Sequence, residues 1–108
     1  MDDMNSSTCN RIKKFDPGQI CITPGALAVF AQPRPREQTL ETLLMRHVSG
    51  DFGDVDEADR RANEIAMTDG NMILSSYRLD AETTIWIISD PADDAGRRVT
   101  TVLLPEER

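Results

Sequence analysis

The chain has 108 residues, of which 39% are hydrophobic and 29% charged, with twelve Lys and Arg against nineteen Asp and Glu. This length supports one hydrophobic core rather than two independent domains, and the hydrophobic content argues against disorder throughout. Because the formal net charge of -7 repels phosphate, we expect no direct DNA binding.

The first 18 residues are polar, show no helical or strand periodicity and end in Asp16-Pro17-Gly18. They predict a flexible N-terminal arm over residues 1–18, followed by a single domain over residues 19–108. This arm lacks the apolar core of a secretory signal, and no apolar run approaches the roughly 20 residues of a membrane span. Cys9 and Cys21 have no metal-ligand spacing and favour free thiols. We therefore expect a cytoplasmic protein without membrane contact.

Two short helices are predicted in the first half of the chain. After the apolar residues 20–22, Thr23 can cap a helix and Pro24 can occupy its first position; prolines in residues 33–36 forbid its continuation. A second helix follows Thr39 and stops at Gly50. Its buried side is predicted from residues at helical spacing, namely Leu40, Leu43, Leu44, His47 and Val48.

A third helix is predicted from Asp54 to Asp69. Asp54 and Glu57 fit a capping box, and Gly70 fits the position just after a helix end. The residues at helical spacing that predict its apolar side are Val55, Ala58, Ala62, Ile65 and Ala66.

The hydrophobic period then changes to two. The segments MILSSYRL, TTIWIIS and RVTTVLL are rich in β-branched and aromatic residues and are separated by turn-forming stretches. The sequence therefore predicts an α+β fold in which two to three N-terminal helices pack on a three-stranded, or four-stranded, antiparallel β meander. Exposed strand edges of such a sheet could support a homodimer.

One group of polar residues suggests catalysis. His47 is the only histidine, and its ordinary pKa makes it a candidate acid or base, although a histidine at a helix end also bonds to the last carbonyls. Together with Tyr77, Arg98 and Thr100 it could form a metal-independent ribonuclease site, with a base, a cation and hydroxyls around a phosphate. The same residues could equally form an ordinary polar face of the sheet.

A second group suggests a contact surface. Residues 51–69 contain seven acids against two arginines. Their spacing lacks the layout of a calcium loop, so we predict no metal and no cofactor. The acids can cap and solvate a helix, or form a patch that binds a partner with a basic surface. The candidate partner-binding residues are Asp51, Asp54, Asp56, Glu57, Asp59 and Glu64.

The segments ITPGAL, RHVSGDFGDVDEADRRANE, ILSSY, IWIIS and TTVLLPEE resemble a family of short, uncharacterised proteins carried by bacterial plasmids and prophages. The resemblance covers residues 22–107. It implies an accessory protein of a mobile genetic element in a bacterial cytoplasm. In size and charge the chain is similar to anti-CRISPR and anti-restriction inhibitors, which act by binding a host defence or nucleic-acid-processing complex. The alternative is a ribonuclease toxin, because the layout also resembles the barnase, EndoU, colicin and RelE folds.

Overall fold

The computed structural model describes residues 13–33 and 38–108. The α+β class predicted from the sequence is confirmed. Within the described residues no helix is both long and apolar enough to cross a membrane. The elements, in chain order, are β1 (Gln19–Ile22), α1 (Pro24–Phe30), α2 (Leu40–Val48), α3 (Glu57–Asp69), β2 (Ile73–Arg78), β3 (Thr84–Ser89), β4 (Val99–Leu103) and a 3-10 helix (Pro105–Glu107).

The sheet has the strand order β1-β4-β3-β2. The predicted meander is present, because β3 pairs antiparallel with both β2 and β4. The prediction of a wholly antiparallel sheet is wrong, however, because β1 pairs parallel with β4. The helices also do not form an N-terminal block, since β1 precedes α1. A four-residue strand that pairs with a segment 80 positions later leaves no local pattern from which its direction can be predicted.

One face of the sheet carries the core. Along β2, buried and partly exposed residues alternate, which places Ile73, Ser75 and Tyr77 on the same face. Two apolar clusters form there. The first contains the buried residues Ala26, Leu43, Tyr77, Ile85, Ile87 and Val102. The second contains Phe15, Val48, Phe52, Ala66 and Ile73.

Residues 13–18 belong to the folded domain. Phe15 is buried in the second apolar cluster, and the Lys14 amide donates to the Val48 carbonyl at 2.7 Å. The Pro17 carbonyl accepts a hydrogen bond from Thr100 Oγ1 at 2.7 Å. Residues 14–17 therefore contact the domain that the sequence predicted to start at residue 19. The rest of the predicted arm, including Cys9, lies outside the described residues.

Helix α3 differs from its prediction in both its first residue and its buried side. Asp56 is the N-cap and accepts from the Asp59 amide at 2.8 Å, so the predicted capping box at Asp54 is wrong. Gly70 ends the helix with φ 82°, as predicted. The helix buries Asn63 and Ala66. Three residues of the predicted apolar side are exposed instead, namely Ala58, Ala62 and Ile65.

The reason is that α3 lies beside the edge of β2, where it meets backbone polar groups. Asn63 Nδ2 donates to the Leu74 carbonyl at 2.7 Å, and the Leu74 amide donates to Asn63 Oδ1 at 3.1 Å. Two positions along, the Ser76 amide donates to the Phe52 carbonyl at 3.0 Å, and the Asp54 amide donates to the Ser76 carbonyl at 2.7 Å. One of the two sheet edges, β2, is thus occupied at Leu74 and Ser76 by the protein's own chain.

Replacing Asn63 tests this attachment. In Asn63→Leu both hydrogen bonds to Leu74 are lost and two backbone groups are left unpaired, so we expect the free energy of unfolding to fall by about 2–4 kcal/mol. Urea unfolding followed by circular dichroism measures the change. The control is Thr68→Leu, an equally polar-to-apolar change at an exposed position of the same helix. Equal stability of the two variants would show that the Asn63 bonds contribute little.

Candidate functional site

His47 lies in the middle of the domain. It belongs to the last turn of α2, and its side chain is fully buried. Its ring packs edge-on against Phe15, with centroids 5.3 Å apart, and against Phe52 at 6.5 Å. Both ring nitrogens contact serine hydroxyls of the sheet: Nδ1 lies 2.6 Å from Ser75 Oγ and Nε2 lies 2.9 Å from Ser89 Oγ. The helix therefore places the imidazole between two aromatic rings and a polar row of the sheet.

The polar row has a defined hydrogen-bond direction. Thr100 Oγ1 donates to the Pro17 carbonyl, which can only accept. Ser89 Oγ lies 2.6 Å from Thr100 Oγ1 and must therefore be the donor of that pair, because the single Thr100 hydroxyl hydrogen is already used. Ser89 then accepts from His47 Nε2–H, and the bare Nδ1 accepts from the Ser75 hydroxyl. This neutral tautomer satisfies every member of the buried chain.

Burial, together with the smaller effect of the positive charge of Arg98, lowers the pKa of His47 to about 3. The ring is therefore neutral at physiological pH. A base with so low a pKa takes up a proton poorly near neutrality. The hydrogen-bond directions in the polar row and the low pKa both indicate that His47 is a neutral core residue.

Arg98 is a nearly buried cation bound by carbonyl oxygens. Its Nη1 donates to the Asn71 carbonyl at 2.8 Å and to the Asp90 carbonyl at 3.0 Å, and its Nη2 donates to the Ala66 carbonyl at 3.1 Å. Desolvation lowers the pKa of Arg98 from its usual value. The Ala66 carbonyl belongs to the last turn of α3, where a cation is stabilised by the helix dipole. Arg98 thus joins α3 to the α3–β2 connection and to the β3–β4 connection.

Tyr77 belongs to a different cluster. Its hydroxyl donates to the Asp51 carbonyl at 2.6 Å, and the Arg46 guanidinium lies over its ring at 4.6 Å. Arg46 also donates to both carboxylate oxygens of Asp51, at 2.8 and 3.2 Å, and to Gln38 Oε1. The hydrogen bonds to Asp51 raise the pKa of Arg46. The cluster forms one wall of an open cleft of about 590 Å³ that also includes Arg78.

The four predicted catalytic residues therefore do not form an accessible site. His47 and Thr100 meet through Ser89, and Arg98 is close enough to lower the pKa of His47, whereas Tyr77 lies in the other cluster. All four are at most 7% exposed. Both nitrogens of His47 and the hydroxyl of Thr100 bind protein atoms. A substrate cannot reach them while the domain is folded, so this arrangement organises the core.

The six predicted partner-binding acids lie at the surface, but their roles differ. Asp51 is clamped by Arg46, and Asp56 caps α3. Three ion pairs neutralise much of α3: Arg60 contacts Glu57 at 2.5 Å and Glu64 at 2.8 Å, and Arg61 contacts Glu57 at 3.1 Å. Arg60 lowers the pKa of Glu57.

Asp54 and Asp59 are exposed and make no side-chain hydrogen bond or ion pair within residues 13–33 and 38–108.

Sequence reasoning missed the serines and the asparagine that organise this region. Ser75 and Ser89 are buried on neighbouring strands, Ser89 pairs in register with Thr100, and Asn63 is the buried polar residue of α3. The sequence did indicate which strand face Ser75 occupies, because the strand period of two places it on the same face as Tyr77. No comparable signal distinguished Asn63 from the exposed polar residues around it.

Across the part of the chain that the structure describes, no three His, Cys, Asp or Glu side chains are grouped so that they could hold a metal ion. Cys21 is a partly exposed free thiol. Comparison of the chain with protein-family models, curated proteins and solved structures found no match.

Proposed function

We propose that this protein is an accessory protein of a mobile genetic element and acts by binding another protein. Its binding inhibits a host defence or nucleic-acid-processing complex. One observation carries the proposal: the candidate catalytic groups are buried and bonded within the core, whereas Asp54 and Asp59 are exposed and form no side-chain hydrogen bond or ion pair within the described residues. A domain with an acidic surface, whose four candidate catalytic residues are buried, fits an inhibitor rather than an enzyme.

Charge indicates the kind of partner. Protein–protein association is fastest and most selective when surface potentials are complementary, so a net charge of -7 favours a basic partner surface. Proteins that bind nucleic acid carry such surfaces. An acidic protein of this size can occupy the surface and exclude the nucleic acid. Direct contact of this chain with nucleic acid is opposed by the same charge.

The ribonuclease alternative receives no support from the geometry. A general base must come within hydrogen-bond reach of the substrate proton, and His47 is buried with both nitrogens bonded. The cation of the predicted site, Arg98, donates to three backbone carbonyls and is not aimed at a phosphate.

Charge reversal at the exposed acids tests the proposal. The tagged wild-type protein should retain one partner stoichiometrically from bacterial lysate, and the partner surface should be basic. The double variant Asp54→Lys with Asp59→Lys should bind the purified partner at least roughly 10-fold more weakly, because it replaces two attractive charges by two repulsive ones. Asp56 and Glu64 are left unchanged, because they support α3.

The matched control is Glu82→Lys with Asp94→Lys, two exposed acids that give the same change in net charge outside α3 and its preceding loop. Circular dichroism should show that both variants remain folded. If the control weakens binding as much as the test variant does, the effect comes from net charge and not from this surface. If wild-type protein retains no partner and cleaves RNA, the binding function is wrong.

A further inference from the structure

Helix α3 exposes most of its circumference. Only Asn63 and Ala66 are buried along its 13 residues. Ile65 is 60% exposed, which is the largest exposure among the large hydrophobic residues of the described chain. Ala58 and Ala62 precede it by seven and three positions on the same side of the helix and are also exposed. The helix thus presents an apolar line to solvent beside the face that attaches to the sheet edge.

The apolar line is bordered by charges of predominantly one sign. Arg60 and Arg61 both point into ion pairs with glutamates of the same helix. Asp59 and Asp69 have no ion pair within the described residues, and Asp54 is exposed just before the helix. The cationic groups are therefore already neutralised, and the charge left for a partner is acidic.

We propose that α3 is the element that enters the partner, lying in a groove with an apolar floor that receives Ile65 and a basic rim that meets Asp54, Asp59 and Asp69. This proposal rests on the proposed function and names the partner surface. An exposed apolar anchor surrounded by a charged rim is the pattern of residues that dominate protein interfaces. A helix whose apolar side enters a groove is a recurrent mode of recognition.

The attachment of α3 to the domain suits this role. Asn63 fixes the helix through two hydrogen bonds to the Leu74 backbone, and Arg98 binds the Ala66 carbonyl in its last turn. Because these bonds already order the helix, binding requires no folding of α3 and loses less conformational entropy. A membrane is a poor occupant, because one isoleucine and two alanines provide little apolar area and the acids repel anionic lipid.

The experiment places a photo-crosslinking amino acid at position 65 of the tagged full chain in bacterial cells, and at position 27 as the matched control. Leu27 is 54% exposed on α1, so it is almost as accessible as Ile65 but lies on another helix. We expect a crosslink from position 65 to an apolar segment bordered by Lys and Arg in one partner protein, and no comparable crosslink from position 27. We also expect Ile65→Asp to weaken binding of that purified partner roughly 30-fold or more, and Leu27→Asp to leave it unchanged.

The outcomes separate this inference from the proposed function. If wild-type protein binds a partner and Ile65→Asp binds it equally well, the role of α3 is wrong and the binding function stands. A crosslink from position 65 to a second copy of this chain would reassign the face to self-association and overturn the inference. If the chain binds no partner at all, both proposals are wrong. Circular dichroism on Ile65→Asp, which alters an exposed position, excludes unfolding as the cause.

Discussion

Acidification is expected to remove about 5 kcal/mol of unfolding free energy through His47 alone, because its pKa is about 3 in the folded protein and 6.5 in an ordinary environment. Protonation would place a charge between Phe15 and Phe52 and would fill Nδ1, which accepts the Ser75 hydroxyl. Since small domains are stable by only about 5–15 kcal/mol, this single group can decide whether the fold survives in acid.

The sign follows from the two pKa values of His47. The folded value, about 3, lies below the unfolded value, 6.5, so the unfolded chain binds the proton first as the pH falls. The contribution of His47 to stability is therefore fully present above pH 6.5. It decreases by about 1.4 kcal/mol for each pH unit between the two values and changes no further below the folded pKa.

Urea unfolding at a series of pH values between 3 and 7 measures this slope. His47→Gln removes the titrating group, so we expect a variant that is less stable at pH 7 but whose stability falls more gently in acid. Ser75→Ala is the control, because it removes one hydrogen-bond partner and keeps the titrating ring. Parallel pH profiles for wild type and His47→Gln would show that His47 does not control acid stability.

The sequence predicted those elements whose signals are local. Thr39 caps α2, and Gly50 follows its end with φ 89°, as their spacing indicated. The Asp51 amide donates to the Arg46 carbonyl and the Gly50 amide to the His47 carbonyl, which is the usual bonding of a helix that ends on glycine. The strands of the meander likewise follow the period of two, and each is detectable without its partners.

The parts that could not be predicted depend on contacts between distant segments. The exposed apolar side of α3 shows this, because helical spacing alone favours burying Ile65. The unpaired backbone at the edge of β2 instead favours a polar residue at the contact, and Asn63 provides both a donor and an acceptor. The candidate site was misjudged for a related reason. His47 and Thr100 do come together through Ser89, but they meet inside the core, where Phe15, distant in sequence, packs against the His47 ring.

Gly53→Ala is expected to destabilise the protein strongly, because two independent features of this position exclude a side chain. Gly53 has φ +73°, and a Cβ atom there would lie 2.1 Å from the Ser76 carbonyl oxygen. That carbonyl accepts from the Asp54 amide, and the Ser76 amide donates to the Phe52 carbonyl, so the loop cannot move away without breaking both bonds. Backbone strain of about 1–2 kcal/mol and the loss of two hydrogen bonds of about 1 kcal/mol each give a total of about 3–4 kcal/mol.

Gly96→Ala separates the two features. Gly96 has φ +80°, nearly the same backbone conformation, but a Cβ atom there would meet nothing within 4 Å. It should therefore lose only the backbone strain, about 1–2 kcal/mol. Urea unfolding of both variants measures the difference, and hydrogen exchange at the Ser76 and Asp54 amides shows whether the loop has left the edge of β2. Equal losses of unfolding free energy in the two variants would mean that the loop can move away from β2 without a further loss of stability. Its hydrogen bonds to β2 would then contribute little. A larger loss in Gly53→Ala, with faster exchange at both amides, would show that this loop, together with Asn63, closes the edge that would otherwise pair with another chain.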